Sequence, residues 1–114
     1  MAKISFDMDS TASQSVVQEF AKFLIKEGHE IWIVTSRMDK QEWNKDLYRI
    51  ANEMGIPRTR IYFTNGDYKW KFFKDKDFAF HFDDDFMEIQ MAKENHCKTL
   101  FFPVYDPEDV IEQI

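Results

Sequence analysis

Short apolar runs alternate along the chain with stretches in which apolar residues recur at helical spacing. Five runs are rich in Ile, Val, Phe and Tyr and predict β-strands, at residues 3–7, 31–35, 60–63, 78–82 and 99–102. The run 31–35 is apolar on both faces, which is typical of a central parallel strand. The pattern therefore alternates strand and helix from one end of the chain to the other.

The stretches between these runs predict amphipathic helices at residues 12–27, 39–54, 67–73 and 86–95, and a short last helix opens at residue 106. Thr11 followed by Gln14 predicts a capping box for the first helix, and Gly28 and Gly55 predict the ends of the first two. In the first helix the apolar residues at helical spacing are Val16, Val17, Phe20, Phe23 and Leu24, and the apolar stripe of the second is Trp43, Leu47, Ile50, Ala51 and Met54.

This alternation predicts an α/β fold: a five-stranded parallel sheet covered on both faces by helices, joined by right-handed crossovers. We expect one three-layer α/β/α, Rossmann-like domain over residues 1–114. In such sheets ligands bind beyond the carboxyl ends of the strands, where the strand order reverses. The polar residues that end strands one, two and four converge if strand one lies between the other two. The predicted order is therefore 5-4-1-2-3.

Those strand ends carry an unusual density of acids. Asp7 and Asp9 follow the first strand, Thr35 ends the second, and Asp83 and Asp84 end the fourth. Like charges placed together are costly unless a cation or hydrogen bonds offset them. Each acid taken alone could cap a helix, but two acidic pairs at neighbouring strand ends favour a divalent-metal site.

The composition narrows the setting. The chain has 114 residues and a formal net charge of −6, which argues against general nucleic-acid binding. A single cysteine, Cys97, cannot form an internal disulfide and suits a reducing cytoplasm. No apolar run approaches the roughly 20 residues of a membrane span. We expect a cytoplasmic protein without a membrane partner, as a monomer or weak dimer.

Four motifs in a fixed order resemble the haloacid dehalogenase superfamily, whose members are mostly phosphatases and other phosphoryl-transfer enzymes. They are "FDMDST" at Asp7 and Asp9, "IWIVTSR" at Thr35, a lysine within "YKWKFFKDK", and "FAFHFDD" ending in two acids. The lysine is assigned to Lys69, with Lys71 second, because Lys69 begins the predicted helix and can point back over the site. The resemblance covers nearly the whole chain and implies the strand order required above.

The resemblance implies a role for each matched position. Asp7 would be the nucleophile that forms an aspartyl-phosphate, and Asp9 the general acid and base. Thr35 and the backbone N–H groups after Met8 would hold phosphoryl oxygens, and Lys69 would offset negative charge. The metal would be Mg²⁺, bound by the Asp7 carboxylate, the Asp9 carbonyl and either Asp83 or Asp84, a choice the motif leaves open.

Neighbouring residues have competing interpretations. Ser36 is the fallback for Thr35 as the group that binds a substrate phosphate, and Arg37 could reach a substrate phosphate or ribose, although a surface ion pair is the alternative for Arg37. Lys69 could instead be a solvated surface lysine, and His81 reads as a structural residue. Asp85 reads as the N-cap of the helix that follows it.

Many relatives in the superfamily carry a cap domain after the first motif or after the third strand. Neither connection here is long enough to hold one, so the site should be open. The main hypothesis is a capless Mg²⁺-dependent phosphatase, acting on a nucleotide, a polynucleotide end, a sugar phosphate or a phosphoprotein. The alternative is a catalytically weak or inactive metal-binding module that regulates or binds a partner. A phospho-accepting receiver domain fits less well, since no Asp ends the third strand.

Overall fold

The computed structural model describes residues 1–104, which form a five-stranded, all-parallel sheet. Its strands are β1 (Lys3–Phe6), β2 (Glu30–Thr35), β3 (Ile61–Phe63), β4 (Phe78–Asp83) and β5 (Leu100–Pro103). Their order is β3-β2-β1-β4-β5, which confirms the predicted order 5-4-1-2-3 read from the opposite edge. The strands that carry acids, β1 and β4, are therefore neighbours at the centre of the sheet.

Four α-helices lie within the described part of the chain: α1 (Ser15–Lys26), α2 (Lys45–Met54), α3 (Trp70–Phe73) and α4 (Phe86–Glu94). Helices α1 and α2 contact each other, as do α3 and α4. Gly55 adopts a left-handed conformation (φ 84°) at the end of α2, as its sequence position predicts. The prediction that Asp85 is the N-cap of α4 is confirmed, because its side chain accepts the backbone N–H of Met87 at 2.9 Å.

The two faces of the sheet have separate cores. The larger core is aliphatic and lies under α1 and α2, and it includes Ile4, Phe6, Ile31, Ile33 and Leu47. The smaller core is largely aromatic and gathers around Val34, Phe73 and Phe78. Since side chains of a strand alternate between faces, residues 4 and 6 of β1 face the first core, whereas residue 5 and the extended residue 7 directly after the strand face the second. The second face is the one that carries the polar residues discussed below.

Several local predictions are wrong. No side-chain capping bond forms at the start of α1, and the Thr11 hydroxyl is buried without a hydrogen-bond partner among the described residues. An irregular turn at Met8–Ala12 intervenes, with Ser10 at φ 56°, so α1 begins only at Ser15. Chain geometry at the acidic loop thus overrides the capping preference.

Trp43 does not belong to the core stripe of α2. It lies in a 3-10 turn (Gln41–Trp43) before that helix, 60% exposed, with the Lys40 ammonium 4.2 Å from its ring centroid. The predicted helix at 67–73 is also shorter than expected, because residues 64–68 form a turn in which Asn65 and Gly66 are left-handed.

The connections between strands are short throughout the described residues. A turn and α1 join β1 to β2, and a turn and the short helix α3 join β3 to β4, so neither connection holds an inserted cap domain. The helix predicted to open at Asp106 lies outside the described residues. None of the helices in residues 1–104 has the length and apolar character needed to cross a membrane.

Candidate functional site

The polar strand ends meet at the carboxyl edge of the sheet. The Asp7 N–H donates to the carbonyl of Phe82 at 2.8 Å, which ties the end of β1 to β4. On the other side of β1, the carbonyl of Thr35 accepts the N–H of Thr64 at 2.8 Å, extending the β2–β3 pairing past the last residues of the strands. Since Phe6 of β1 also pairs with Ile33 of β2, backbone pairing fixes the ends of β2, β1 and β4 side by side.

Three carboxylates converge at this edge. Asp7, Asp83 and Asp84 each offer an oxygen atom, and these atoms lie within 4.8 Å of one another. We call these three residues the carboxylate cluster. Asp7 and Asp83 are buried and Asp84 is half-buried, so solvent screens their mutual repulsion only in part.

Lys69 is buried beside the carboxylate cluster, with only 1% of its surface exposed. Its ammonium lies 2.7 Å from Asp7 Oδ1 and 2.6 Å from Asp83 Oδ2, and 3.9 Å from Glu88. The alternative interpretation of a solvated surface lysine is therefore wrong. Lys71, the second choice, is half-exposed and pairs with Asp67 at 3.0 Å.

The surroundings move the pKa values of these groups in different directions. Burial raises the pKa of Asp7 to about 8, and the nearby charge of Asp83 adds to this, while Lys69 opposes it. Burial alone would also raise the pKa of Asp83, but hydrogen bonds from His81 and Lys69 outweigh it and lower that pKa to about 2. Burial lowers the pKa of Lys69, but the charges of Asp7 and Asp83 reverse this and raise it.

Two buried residues that sequence reasoning did not assign to the site extend this network. Glu88 in the first turn of α4 accepts the backbone N–H of Lys69 at 3.1 Å. His81 lies behind Asp83, with Nε2 2.7 Å from Asp83 Oδ2. The position of His81 was readable from the sequence, since a residue two before Asp83 on a strand must share its face.

Arg37 is committed to protein carboxylates. Its guanidinium donates to both oxygens of Asp9, at 2.7 and 3.0 Å, and to both oxygens of Asp46, at 2.8 and 3.0 Å. These hydrogen bonds raise the pKa of Arg37 and lower that of Asp46. The ion-pair interpretation of Arg37 is thus the one that the geometry supports, and the Asp9 carboxylate lies outside the carboxylate cluster.

The remaining predicted site residues surround the cluster unevenly. Thr35 is fully buried at the end of β2, and its hydroxyl accepts the Arg37 N–H at 3.3 Å. Ser36 is exposed on the loop after it, whereas the Met8 side chain is buried in the larger core. Met8 can therefore contribute to a ligand only through its backbone.

Comparisons of the sequence with models of known protein families and with curated proteins find no match. The arrangement itself is a buried acidic group at the carboxyl edge of a parallel α/β sheet, with a lysine between two of its acids. Such a group could bind a metal ion.

Proposed function

We propose that this protein is a Mg²⁺-dependent phosphatase of the haloacid dehalogenase type, hydrolysing phosphomonoesters through an aspartyl-phosphate. The observation that carries the proposal is the placement of Lys69 between Asp7 and Asp83, with Asp84 within ligand distance. A purely structural ion pair would not need a third carboxylate at the same point. The four motifs of the sequence supply the family resemblance.

The donor set suits Mg²⁺. The carboxylate cluster offers only hard oxygen atoms, which this ion prefers, and contains no nitrogen or sulfur donor. Three carboxylates exceed the single charge of Lys69, so a dication would offset the excess. Asp7 and Asp84 or Asp83 would hold the ion, and when bound it would neutralise charge on the phosphoryl oxygens.

The protein's own residues account for the chemistry in two displacements. An Asp7 oxygen attacks phosphorus as the bond from phosphorus to the ester oxygen breaks, and Asp9 gives its proton to the departing alcohol. Asp9 then takes a proton from water, whose oxygen attacks phosphorus and releases phosphate and the free Asp7 carboxylate. Lys69 binds Asp7 Oδ1, which holds the nucleophile in one orientation.

The carboxyl edge of the sheet is open, which suits a large substrate. Without an inserted cap in the described connections, the chain has no second domain there to enclose a small metabolite. We therefore favour a phosphoryl group carried on a larger molecule, a polynucleotide end or a phosphoprotein, over a free sugar phosphate.

One observation favours the second candidate, a metal-binding module with little or no turnover. Arg37 binds both oxygens of Asp9, which would be the general acid. Both Asp9 oxygens are held by Arg37 and lie outside the carboxylate cluster, so this carboxylate does not face the point where a leaving group would depart. In this candidate the protein binds Mg²⁺ and a phosphorylated partner without hydrolysing it.

Hydrolysis of p-nitrophenyl phosphate, with and without Mg²⁺, separates the two candidates. The phosphatase predicts Mg²⁺-dependent release of nitrophenol that Asp7→Asn abolishes. Asp85→Ser is the matched control, because it removes an acid from the same run yet keeps a good N-cap residue. Mg²⁺ binding without any hydrolysis would favour the regulatory module, and activity that survives Asp7→Asn would refute the nucleophile assignment.

A further inference from the structure

A buried polar chain runs along the sheet behind the carboxylate cluster. Ser5 and His81 are paired residues of β1 and β4, and both are fully buried. Ser5 Oγ lies 2.6 Å from His81 Nδ1, and His81 Nε2 lies 2.7 Å from Asp83 Oδ2. The same Asp83 oxygen receives the Lys69 ammonium at 2.6 Å. A continuous series of hydrogen bonds thus joins four side chains, which lie on two strands and at the start of α3: Ser5, His81, Asp83 and Lys69.

The chemistry of the groups fixes the direction of these hydrogen bonds. An ionised Asp83 can only accept, so the hydrogen of the neutral imidazole must be on Nε2. Nδ1 is then an acceptor, and the Ser5 hydroxyl donates to it. Every polar atom of these four side chains has a hydrogen-bond partner, and the Ser5 hydroxyl and the His81 Nε2–H both donate in the direction of Asp83. A histidine that merely filled core volume would not require this order.

These hydrogen bonds leave Asp83 few free acceptor positions for a metal ion. Its Oδ2 accepts from both His81 and Lys69, and its Oδ1 accepts the backbone N–H of Asp85 at 2.9 Å. Three of its roughly four acceptor positions are filled. Asp84 differs, because no lysine, arginine or histidine among residues 1–104 pairs with it.

We infer that Ser5 and His81 are positioning residues that fix Asp83 as the anchor of Lys69, leaving Asp84 to bind the metal beside Asp7. Asp83 then acts through Lys69, which in turn orients the nucleophile. The effect on turnover rests on the proposed phosphatase function, whereas the division between the two acids concerns metal binding alone. Mutating the hydrogen-bond partners that orient the carboxylates of a site typically lowers activity about 10- to 100-fold.

Metal binding is measured first, without substrate, by calorimetric titration of the full chain with Mg²⁺. Asp84→Asn, which removes a direct ligand, is expected to weaken Mg²⁺ binding by more than the roughly 10- to 100-fold that loss of an orienting group causes, and Asp83→Asn by about 10-fold or less. Equal losses for the two variants would overturn the assignment. This result holds whether or not the protein hydrolyses phosphate esters, so it distinguishes a failure of the inference from a failure of the proposed function.

Turnover of p-nitrophenyl phosphate at saturating Mg²⁺ tests the positioning role. His81→Leu should lower kcat about 10- to 100-fold with KM nearly unchanged, and His81→Gln, which keeps an N–H donor, should restore part of it. Ser5→Ala should lower kcat in the same direction by about 3- to 10-fold, and it serves if His81→Leu does not fold.

The matched control is Thr99→Val. It removes another buried hydroxyl, directly before β5, that donates to the Phe78 carbonyl at 2.9 Å, at the opposite end of β4 from the carboxylate cluster. This variant should unfold more easily and keep its kcat. If Ser5→Ala also loses only stability, or if His81→Leu keeps full kcat, the two residues are structural and the inference is wrong.

Discussion

Raising the pH of the metal-free protein is expected to destabilise it, and Mg²⁺ is expected to reverse the loss. The physical cause is Asp7, whose pKa burial raises from 3.8 to about 8. Between these two values the folded state keeps a proton that the unfolded chain has released. Stability therefore falls as the pH rises through this window, because the unfolded state binds fewer protons than the folded state.

The size of the effect follows from the same two values. They differ by about 4 pKa units, and each unit corresponds to about 1.4 kcal/mol, so the loss between pH 4 and pH 8 is at most about 6 kcal/mol. Burial also raises the pKa of Asp84 and Glu88, which acts in the same direction. The lowered pKa of Asp83 adds stability with rising pH only below this window. Burial lowers the pKa of His81, so this residue adds stability as the pH rises towards its ordinary pKa of 6.5 and offsets part of the loss. For a domain of this size the loss is a large share of the total stability.

Urea unfolding of the chelator-treated protein at pH 5 and pH 8, with and without Mg²⁺, measures this effect. Mg²⁺ should stabilise the protein more at pH 8 than at pH 5, because at pH 5 it must displace the proton of Asp7. Asp7→Asn should flatten the pH dependence, since asparagine can still accept from Lys69 but does not titrate.

Asp77→Asn is the control for this experiment. Asp77 is exposed and pairs with Lys3, which lowers its pKa, so it does not titrate between pH 5 and pH 8 in either state. The unfolding free energy of Asp77→Asn should change with pH as much as that of the unaltered protein. If Asp7→Asn shows the same change in unfolding free energy from pH 5 to pH 8 without metal as the unaltered protein, the reasoning about Asp7 is refuted.

Three further predictions concern single side chains. Lys69→Met leaves two buried carboxylates without their cation and should cost about 3–5 kcal/mol in urea unfolding of the metal-free protein, whereas Lys71→Met should cost less than about 0.5 kcal/mol. Asp85→Ala removes the N-cap of α4 and should cost about 1 kcal/mol while leaving the Mg²⁺ affinity measured by calorimetry unchanged. Asp9→Asn should slow hydrolysis of phenyl phosphate about 10²- to 10⁴-fold and that of 2,4-dinitrophenyl phosphate far less, because dinitrophenolate leaves without a proton; equal losses would contradict the general-acid role.

The sequence predicted the fold closely because its strongest signals are regular ones. The alternation of apolar runs with helical stretches requires parallel strands, and the acids at strand ends select one order among the possible ones. Convergence of Asp7, Asp83 and Lys69 then follows from topology. These residues lie on regular elements or directly beside them, where chain direction alone determines which edge of the sheet they reach.

The loop residues could not be predicted in this way. Asp46 has no motif, and its pairing with Arg37 depends on where the first turn of α2 comes to lie against the loop after β2. Trp43 fits the helical spacing of the residues after it, yet a 3-10 turn rather than a longer helix precedes α2 and leaves it exposed. Spacing arguments fail where the chain is irregular, since they assume a constant rotation per residue.

Ser5 and His81 show how the carboxylates at the edge of the sheet constrain the buried residues behind them. On a strand, the residue two positions before a carboxylate at the strand end shares its face, and on parallel strands in register two such residues become neighbours. In a core lined by phenylalanines, a lone serine or histidine at that position would be an unsatisfied polar group costing about 1–3 kcal/mol. Each removes the cost of the other, because Ser5 donates to His81 and His81 donates to Asp83. A polar pair at these positions therefore requires a hydrogen-bond acceptor at the strand end, here Asp83, which is why the interior of this sheet depends on the chemistry at its edge.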